Sequence, residues 1–254
     1  MKISVVVPAY NEEVLLPACL ESIFRSLAFA GVPRAEAEVI VVNNASTDRT
    51  REVALSFPGV RVVDEAHKGL TRAKQAGFLA ARGEILAHPD ADTIMPKEWI
   101  SRVLAAFAHD PSLVCISGTY YYFDLPRSSR ALVYAWYGVA FASHLIIRDV
   151  LHVGAMVQGG NYAVRRSALE AAGGYDTSIE FYGEDFDIGR RLSKVGRVVF
   201  TWRRLHMQSS GRRLAQEGIV MTGLRYGINN MSSTFLKRPL VHKYTDIRHT
   251  SERA

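Results

Sequence analysis

The chain has 254 residues, is 48% hydrophobic and 22% charged, and carries 31 Lys+Arg against 25 Asp+Glu, a formal net charge of +6. That balance excludes wholesale disorder, a collagen-like fibre and a polytopic membrane protein. The mildly basic surplus suits an anionic ligand or an anionic membrane surface, and no nucleic-acid partner is expected from it. A chain of this length buries enough surface to fold without a disulfide or a structural metal. The two scattered cysteines, Cys19 and Cys115, are expected as reduced core residues of a cytoplasmic protein.

Met1 to Pro8 lacks the basic region, the long apolar region and the cleavage site of a signal peptide. Ile3 to Val7 is a short β-branched run of the kind that forms a strand buried on both faces. Asn11-Glu12-Glu13 then reads as a helix start, with Asn11 as N-cap, and the helix runs to about Phe29 before Gly31-Val32-Pro33. Glu38 to Val42 is a second buried strand, Asn43 to Asp48 a polar turn, and a helix begins near Thr50. Val60 to Val63 is a third strand, Leu70 to Arg82 a helix, Glu84 to His88 a fourth strand, and Pro96 to Ala108 a helix. Strand and helix alternate four times, which specifies a parallel sheet flanked by helices. Ligands of such sheets sit beyond the carboxyl ends of the strands. Pro8–Glu12, Asn43–Asp48 and Asp90–Asp92 each follow a strand and should therefore meet in one crevice.

The second half is less regular. Leu113 to Phe123 reads as one or two strands, Ser129 to about Val150 as helix, Gly159 to Val164 as strand and Arg166 to Ala172 as a short helix. Glu184 to Lys194 is helical, Arg197 to Thr201 is the last strand, and Leu214 to Phe235 is helical. Ala131 to Val157 is the longest apolar stretch, but His144, Arg148, Asp149 and His152 interrupt it, so a membrane-spanning helix is not expected. No linker or repeat divides the chain. One continuous domain is expected, a nucleotide-type half followed by a half that covers it.

Three clusters carry chemistry. Asp90-Ala91-Asp92 follows a buried strand directly, and two carboxylates one residue apart at that position suit a hard divalent cation shared with phosphate oxygens; a solvated acidic turn is the plainer alternative. Asn43-Asn44-Ala45-Ser46-Thr47-Asp48 suits hydrogen bonds to a base and ribose, or simply turns the chain and caps the next helix. Tyr182-Gly183-Glu184-Asp185-Phe186-Asp187 opens a helix, where the dipole favours acids, yet three acids in four residues exceed what capping requires. One of them is a candidate general base.

In order and spacing, Val6-Val7-Pro8-Ala9-Tyr10-Asn11-Glu12, Val41-Val42-Asn43-Asn44-Ala45-Ser46-Thr47-Asp48, Asp90-Ala91-Asp92 and Gly183-Glu184-Asp185 resemble glycosyltransferase family 2 over roughly residues 1 to 205. The resemblance implies a GT-A fold, a Rossmann-like, mostly parallel α/β sheet flanked by helices. It also implies an inverting transfer of a sugar from a nucleoside-diphosphate sugar, of hexosyltransferase type, aided by Mg²⁺ or Mn²⁺. Residues 1–210 would form that domain, 1–110 as its nucleotide-binding half and 111–210 as its acceptor half, with 211–254 a C-terminal helix and basic tail. Pro8, Tyr10 and Glu12 would border the nucleotide, Asn43 and Asn44 the base, Arg72 or Lys74 a phosphate, and Asp90 with Ala91 the ribose. Asp92, with Asp90 and His206, would hold the metal. Asp185 matches the family's base, with Glu184 beside it, and Gly159-Gly160-Asn161 would line the sugar and acceptor pocket. The Q-x-x-R-W motif of processive members is absent, which argues against a polymerising synthase.

The acceptor is left open among a glycan, a lipid-linked molecule and a small molecule, in polysaccharide or cell-envelope biosynthesis. Tyr120 to Phe123 and Tyr134 to Ile147 would line an acceptor groove, touch lipid, or simply pack the core; Arg203-Arg204 and Arg212-Arg213 would meet phosphates or water. A cytoplasmic location, peripheral contact with the inner face of a membrane through the basic tail, and a homodimer are further expectations. Two rival functions stand beside the transferase. A non-catalytic module binding nucleotide-sugar or glycan would need no base, against Glu184-Asp185. A sugar-1-phosphate nucleotidyltransferase would need a glycine-rich loop after the first strand, where Pro8-Ala9-Tyr10-Asn11-Glu12 has no glycine. The absence of G-x-G-x-x-G at the same place disfavours a dinucleotide-binding dehydrogenase.

Overall fold

Every residue of β1 (Ile3–Ala9) is buried, as a run that is apolar apart from Ser4 requires. The computed structural model describes residues 1–151, 153–179, 183–202 and 204–235. After β1 come α1 (Leu16–Phe29), β2 (Ala37–Asn44), α2 (Thr50–Leu55), β3 (Val60–Glu65), α3 (Leu70–Ala80) and β4 (Ile85–Pro89). The two-residue β5 (Thr93–Ile94), α4 (Trp99–His109), β6 (Leu113–Gly118), β7 (Tyr120–Tyr122) and α5 (Arg127–Leu145) follow. Then come β8 (Asn161–Arg165), α6 (Arg166–Ala171), α7 (Glu184–Leu192), β9 (Arg197–Thr201), β10 (Met207–Ser209), α8 (Arg212–Glu217) and α9 (Ile219–Phe235).

Seven strands form one sheet in the order β3-β2-β1-β4-β8-β6-β9. The first four are mutually parallel, β9 runs parallel to β6, and β8 enters antiparallel between β4 and β6. Side chains alternate across a strand, so β1 feeds two cores. Ile3, Val5, Val7 and Ala9 join α1 and α4, while Val6 joins Ile40, Val42 and α3 on the other face. Gly77 lets α3 lie close on that face, since a Cβ there would stand 2.2 Å from Val6 Cγ1.

A second sheet, β5-β10-β7, lies past the end of β4. Its strands of two or three residues are too short to register as sequence patterns, yet they decide what reaches the site. β10 pairs with β5 and β7, and Ser210 donates its N–H to the Asp92 carbonyl at 3.2 Å, which delivers α8 to the acidic turn.

Two local expectations change. Asn11 is not the N-cap of α1. Its φ is +51°, its Oδ1 accepts the Thr47 N–H at 2.8 Å, and the helix begins at Leu16. The Asn11 side chain therefore ties the first crevice loop to the second. The helix expected from Leu214 to Phe235 is two helices, α8 and α9, separated at Gly218 with φ +81°.

α5 passes into a single π-helical turn at Ile146–Val150. By length and composition Arg127–Val150 is long and apolar enough to cross a membrane, but one of its faces is packed on the domain. Phe141 meets Phe200 and Trp202, and the Tyr137 hydroxyl accepts the Tyr120 N–H at 3.2 Å. Cys19 and Cys115 are both buried free thiols. Tyr182, His152, Arg203 and the basic tail after residue 235 lie outside the described residues.

Candidate active site

The acidic turn after β4 and the acidic start of α7 meet at Gly159-Gly160. A Cβ on Gly160 would stand 2.0 Å from Asp90 Oδ2 and 2.4 Å from the Tyr120 hydroxyl. A Cβ on Gly159 would stand 2.7 Å from Glu184 Oε1 and 3.7 Å from Asp185 Oδ2. Only residues without side chains fit between the two acid groups, and Gly160 also adopts φ +80°. Gly183, at φ +92°, turns the chain into α7 so that its first residues face the same junction.

The three acids of that helix start take three different partners. Glu184 Oε1 receives Lys74 Nζ at 2.7 Å, with Lys74 fully buried and the Glu184 side chain 5% exposed. Asp187 is held by Arg190 and Arg191, each at 2.8 Å, the structural role that a helix N-terminus alone would explain. Asp185, also buried, accepts the Phe186 N–H at 3.0 Å and forms part of the wall of a large cavity. Burial, and next the Glu184 charge, push its carboxyl up to about 7, with Lys74 opposing.

Asp90 is raised to about 7 as well, first by burial, with Lys74 opposing and Asp92 and Glu184 adding to the rise. The Tyr120 hydroxyl lies 3.1 Å from Asp90 Oδ2 and 2.9 Å from the Gly159 carbonyl. With one proton to give, it donates to one of them at a time. Burial would lower the Lys74 pKa, but the fields of Glu184, Asp90 and Asp185 hold it above its ordinary value. A single ammonium is thus shared electrostatically by three carboxylates from two distant segments. Sequence reading singled out Lys74 for a phosphate; the structure sets it behind the acids, away from solvent. Behind it, His88 stacks on Tyr162 and its Nε2 lies 3.0 Å from the Tyr175 hydroxyl. Burial, reinforced by Lys74, keeps His88 neutral, well below its usual pKa.

The nucleotide side of the crevice is built by loop-to-loop bonding. The Thr50 hydroxyl accepts the Glu12 N–H at 2.8 Å, and Asp48 accepts the Glu13 N–H at 3.1 Å and the Thr50 N–H at 3.0 Å. The buried Asn44 spends both ends of its amide on the next loop, donating to the His67 carbonyl and accepting the Gly69 N–H, each at 2.8 Å. Asn43 donates to Asp64 at 2.9 Å. Both asparagines therefore brace neighbouring segments, Asn43 toward β3 and Asn44 toward the loop before α3. Pro8, next to last in β1, is in register with Val42 and is buried. Tyr10 lies under Lys68, whose Nζ is 3.9 Å from the ring centroid, and Arg72 is exposed on α3. Lys68 carried no sequence signal; its place over Tyr10 shows only in three dimensions.

Asn161 does not face the crevice as expected. It is wholly buried, accepts the Trp99 indole N–H at 3.0 Å and donates to the Thr119 and Leu205 carbonyls at 2.8 Å each. Its full set of bonds makes it a brace between β8 and the strands around it. Ala91 is likewise buried, within the core under α1.

Among the described residues no three His, Cys, Asp or Glu side chains gather where they could hold a metal ion, so the expected trio of Asp90, Asp92 and His206 is not assembled. Asp90 turns inward toward Tyr120, His206 is exposed ahead of β10, and Asp92 meets the Arg212 guanidinium at 3.1 Å. Arg212 also bonds Glu12, so one cation bridges two crevice acids. The donors nevertheless fit a divalent ion in another way. Such ions use one or two carboxylates and complete their shell with substrate phosphates and water. Asp92 is partly exposed at the strand's carboxyl end, and the guanidinium on it marks a place that holds positive charge.

The family model described as Glycosyl transferase family 2 matches residues 4–173. Among curated proteins, the probable glycosyltransferase YdaM of Bacillus subtilis is 25% identical over 210 residues, covering 77% of this chain and 47% of that protein. The dolichyl-phosphate beta-glucosyltransferase of Drosophila melanogaster is 41% identical over 101 residues, covering 36% of this chain and 31% of that protein. The chain thus spans less than half the length of these relatives. Among solved structures, mannosyltransferase PcManGT from Pyrobaculum calidifontis, in complex with GDP-Man and Mn²⁺, has a TM-score of 0.68 at 22% identity, covering 91% of this chain and 63% of that one. Glucosyl-3-phosphoglycerate synthase from Mycobacterium tuberculosis, in complex with Mn²⁺ and UDP-glucose, has a TM-score of 0.62 at 19% identity, covering 92% and 79%.

Proposed function

The chain belongs to glycosyltransferase family 2, and from that footing we propose that it moves a sugar from a nucleoside-diphosphate sugar to an acceptor hydroxyl with inversion, Asp185 acting as base. One observation carries the reading. The candidate base is buried, raised to about 7, and joined through Gly159-Gly160 and Lys74 to the acidic turn at the carboxyl end of β4. A carboxyl poised near neutrality is suited to take a proton in that range.

In the transfer, the acceptor oxygen attacks the anomeric carbon from the Asp185 side while the bond to the diphosphate breaks on the other. Asp185 receives the hydroxyl proton. Glu184, bonded to Lys74 beside it, adds to the rise in the basicity of Asp185. Arg72 and Lys68, on the nucleotide side, would meet the diphosphate's growing charge. Asp92, with Asp90 behind it, would hold Mg²⁺ or Mn²⁺; when bound, the ion neutralises charge on the leaving diphosphate. The nucleotide-sugars and Mn²⁺ held by the structural neighbours support this assignment. A cytoplasmic location, peripheral at a membrane, belongs to the same proposal.

The test is Asp185→Asn, assayed for sugar transfer and for nucleotide binding. Turnover should fall about 10²–10⁴-fold, the usual contribution of a general base, with nucleotide affinity retained. Near-normal turnover removes the base assignment. A wild-type protein that binds nucleotide-sugar yet never releases nucleoside diphosphate is instead a binding module.

A further inference from the structure

A cavity of about 1050 Å³ lies between α5 and α9, and Asp185 forms part of its wall. That is the upper end of the range for small-molecule sites. Its lining is dominated by Trp136, Tyr137, Ile147, Phe186, Leu224 and Ile228, and among the described residues Asp185 is its one charged side chain. No Lys or Arg of the described residues lines it, so none of them is there to neutralise a phosphate head. Polar groups such as those of Tyr137, Gln158 and Thr222 interrupt a wall that is otherwise apolar, so an apolar body fits most of it better than a free sugar, each of whose buried hydroxyls would need a partner. One of them, the Thr222 hydroxyl, is 1% exposed and has no hydrogen-bond partner. The rim stays apolar toward solvent, with Val139 at 58% and Val220 at 67% exposure. Gly223 and Gly227 on α9 face the Trp136 ring, where a Cβ would stand 3.6 and 3.7 Å from it.

We propose that this cavity is the acceptor site and that the acceptor is a neutral amphipathic alcohol, its apolar body between α5 and α9 and its hydroxyl at Asp185. The inference deepens the transferase reading and rests on it. The alcohol's O–H gives its proton to Asp185, its oxygen bonds to the anomeric carbon, and the nucleoside diphosphate departs with the electron pair of the broken bond. The product is an alkyl or prenyl glycoside.

Binding and transfer are tested separately. In the first experiment 11-bromoundecan-1-ol is titrated into the wild-type chain and into Trp136→Phe while tryptophan fluorescence is followed. Bromine quenches on contact, so the wild type should lose a saturable part of its emission and Trp136→Phe should not. No saturable quenching, as when a second copy or the chain beyond residue 235 fills the cavity, overturns the proposal, as does quenching that Trp136→Phe leaves unchanged. In the second, the wild type is given a panel of UDP- and GDP-sugars with Mn²⁺ and, in turn, farnesol, farnesyl phosphate and free glucose. Farnesol should be glycosylated at least tenfold faster than the other two. Faster transfer to glucose or farnesyl phosphate overturns the acceptor assignment and leaves the transferase reading intact. If the bromoalcohol binds beside Trp136 but no donor is consumed with any acceptor, the transferase reading itself has failed.

Discussion

Lys74 Nζ and Glu184 Oε1 lie 2.7 Å apart although 110 positions separate them in the chain. Both side chains are out of solvent, and Asp90 and Asp185 share the same positive charge. A buried pair of this kind is costly to break, because the survivor is left charged in a medium that solvates it poorly. Lys74→Met should therefore destabilise the fold by about 3–5 kcal/mol, read from denaturant midpoints. The double variant Lys74→Met with Glu184→Leu should recover much of that loss. A Lys74→Met protein as stable as the wild type would show that the pair does not hold the two halves of the site together.

The raised carboxyls set a pH dependence with opposite signs for activity and stability. Asp185 acts as base only when ionised, so kcat/KM should fall tenfold per pH unit below about 7 and level off above it. For stability, a folded-state pKa above the unfolded value, about 3.9, means that the folded chain binds more protons between those two values. Unfolding free energy should then decrease as pH rises from about 4 to about 7 on account of Asp90 and Asp185, and this contribution should stay constant above. Asp185→Asn removes one of the two and should raise Tm at pH 8 by a few degrees, on the scale of about 2–4 °C per kcal/mol for a chain of this size. An acid limb near 4 in the rate profile, or a lower Tm for the variant at pH 8, would contradict the buried, raised carboxyl.

The first half of this arrangement is visible in one dimension because its causes are local. Ile3–Val7 must be a strand buried on both faces, and Asp90–Asp92 follows such a strand, so the acids had to lie at its carboxyl end. The second half depends on pairings that no window contains. Nothing in the apolar run of β8 reveals that it runs antiparallel between β4 and β6, since the pattern is the same in either direction. Residues 207–209 are too few to signal a strand, yet they bring Arg212 to Asp92. Asn11 misled because asparagine serves equally well as a cap and as a left-handed turn residue, and only the Thr47 partner, 36 residues away, selects the latter. Asn161 looked like a ligand contact for a related reason. A buried amide that satisfies Trp99 and two carbonyls has the same letter as one that faces a sugar.

Gly160 separates backbone strain from crowding at the site. Gly160→Ala places a methyl 2.0 Å from Asp90 Oδ2 at φ +80°, whereas Gly173→Ala meets nothing within 4 Å at φ +82°. Each should lose about 1–3 kcal/mol through the unfavourable backbone conformation. Gly160→Ala alone must also displace Asp90 or Tyr120, so it should lose further stability and transfer activity, while Gly173→Ala keeps its rate. Equal behaviour of the two variants in melting and in turnover would mean that the close fit around Asp90 has no functional weight.

Arg212 sits where the proposed divalent ion would be drawn. Its guanidinium bonds Asp92 at 3.1 Å and also Glu12, so an ion binding at Asp92 must first displace it. Displacing a charge-assisted contact costs about 1.5–3 kcal/mol, which by mass action is about a 10–150-fold loss of apparent ion affinity. Arg212→Ala should thus bind Mn²⁺ at least about tenfold more tightly without nucleotide, as read from the free-ion signal in electron paramagnetic resonance. The same variant should melt lower than the wild type in the absence of metal, because Glu12 and Asp92 then face each other without the bridging cation. If Mn²⁺ affinity is unchanged or weaker while the variant stays folded, the ion does not compete for Asp92, and the carboxylate serves only to anchor α8 across the crevice.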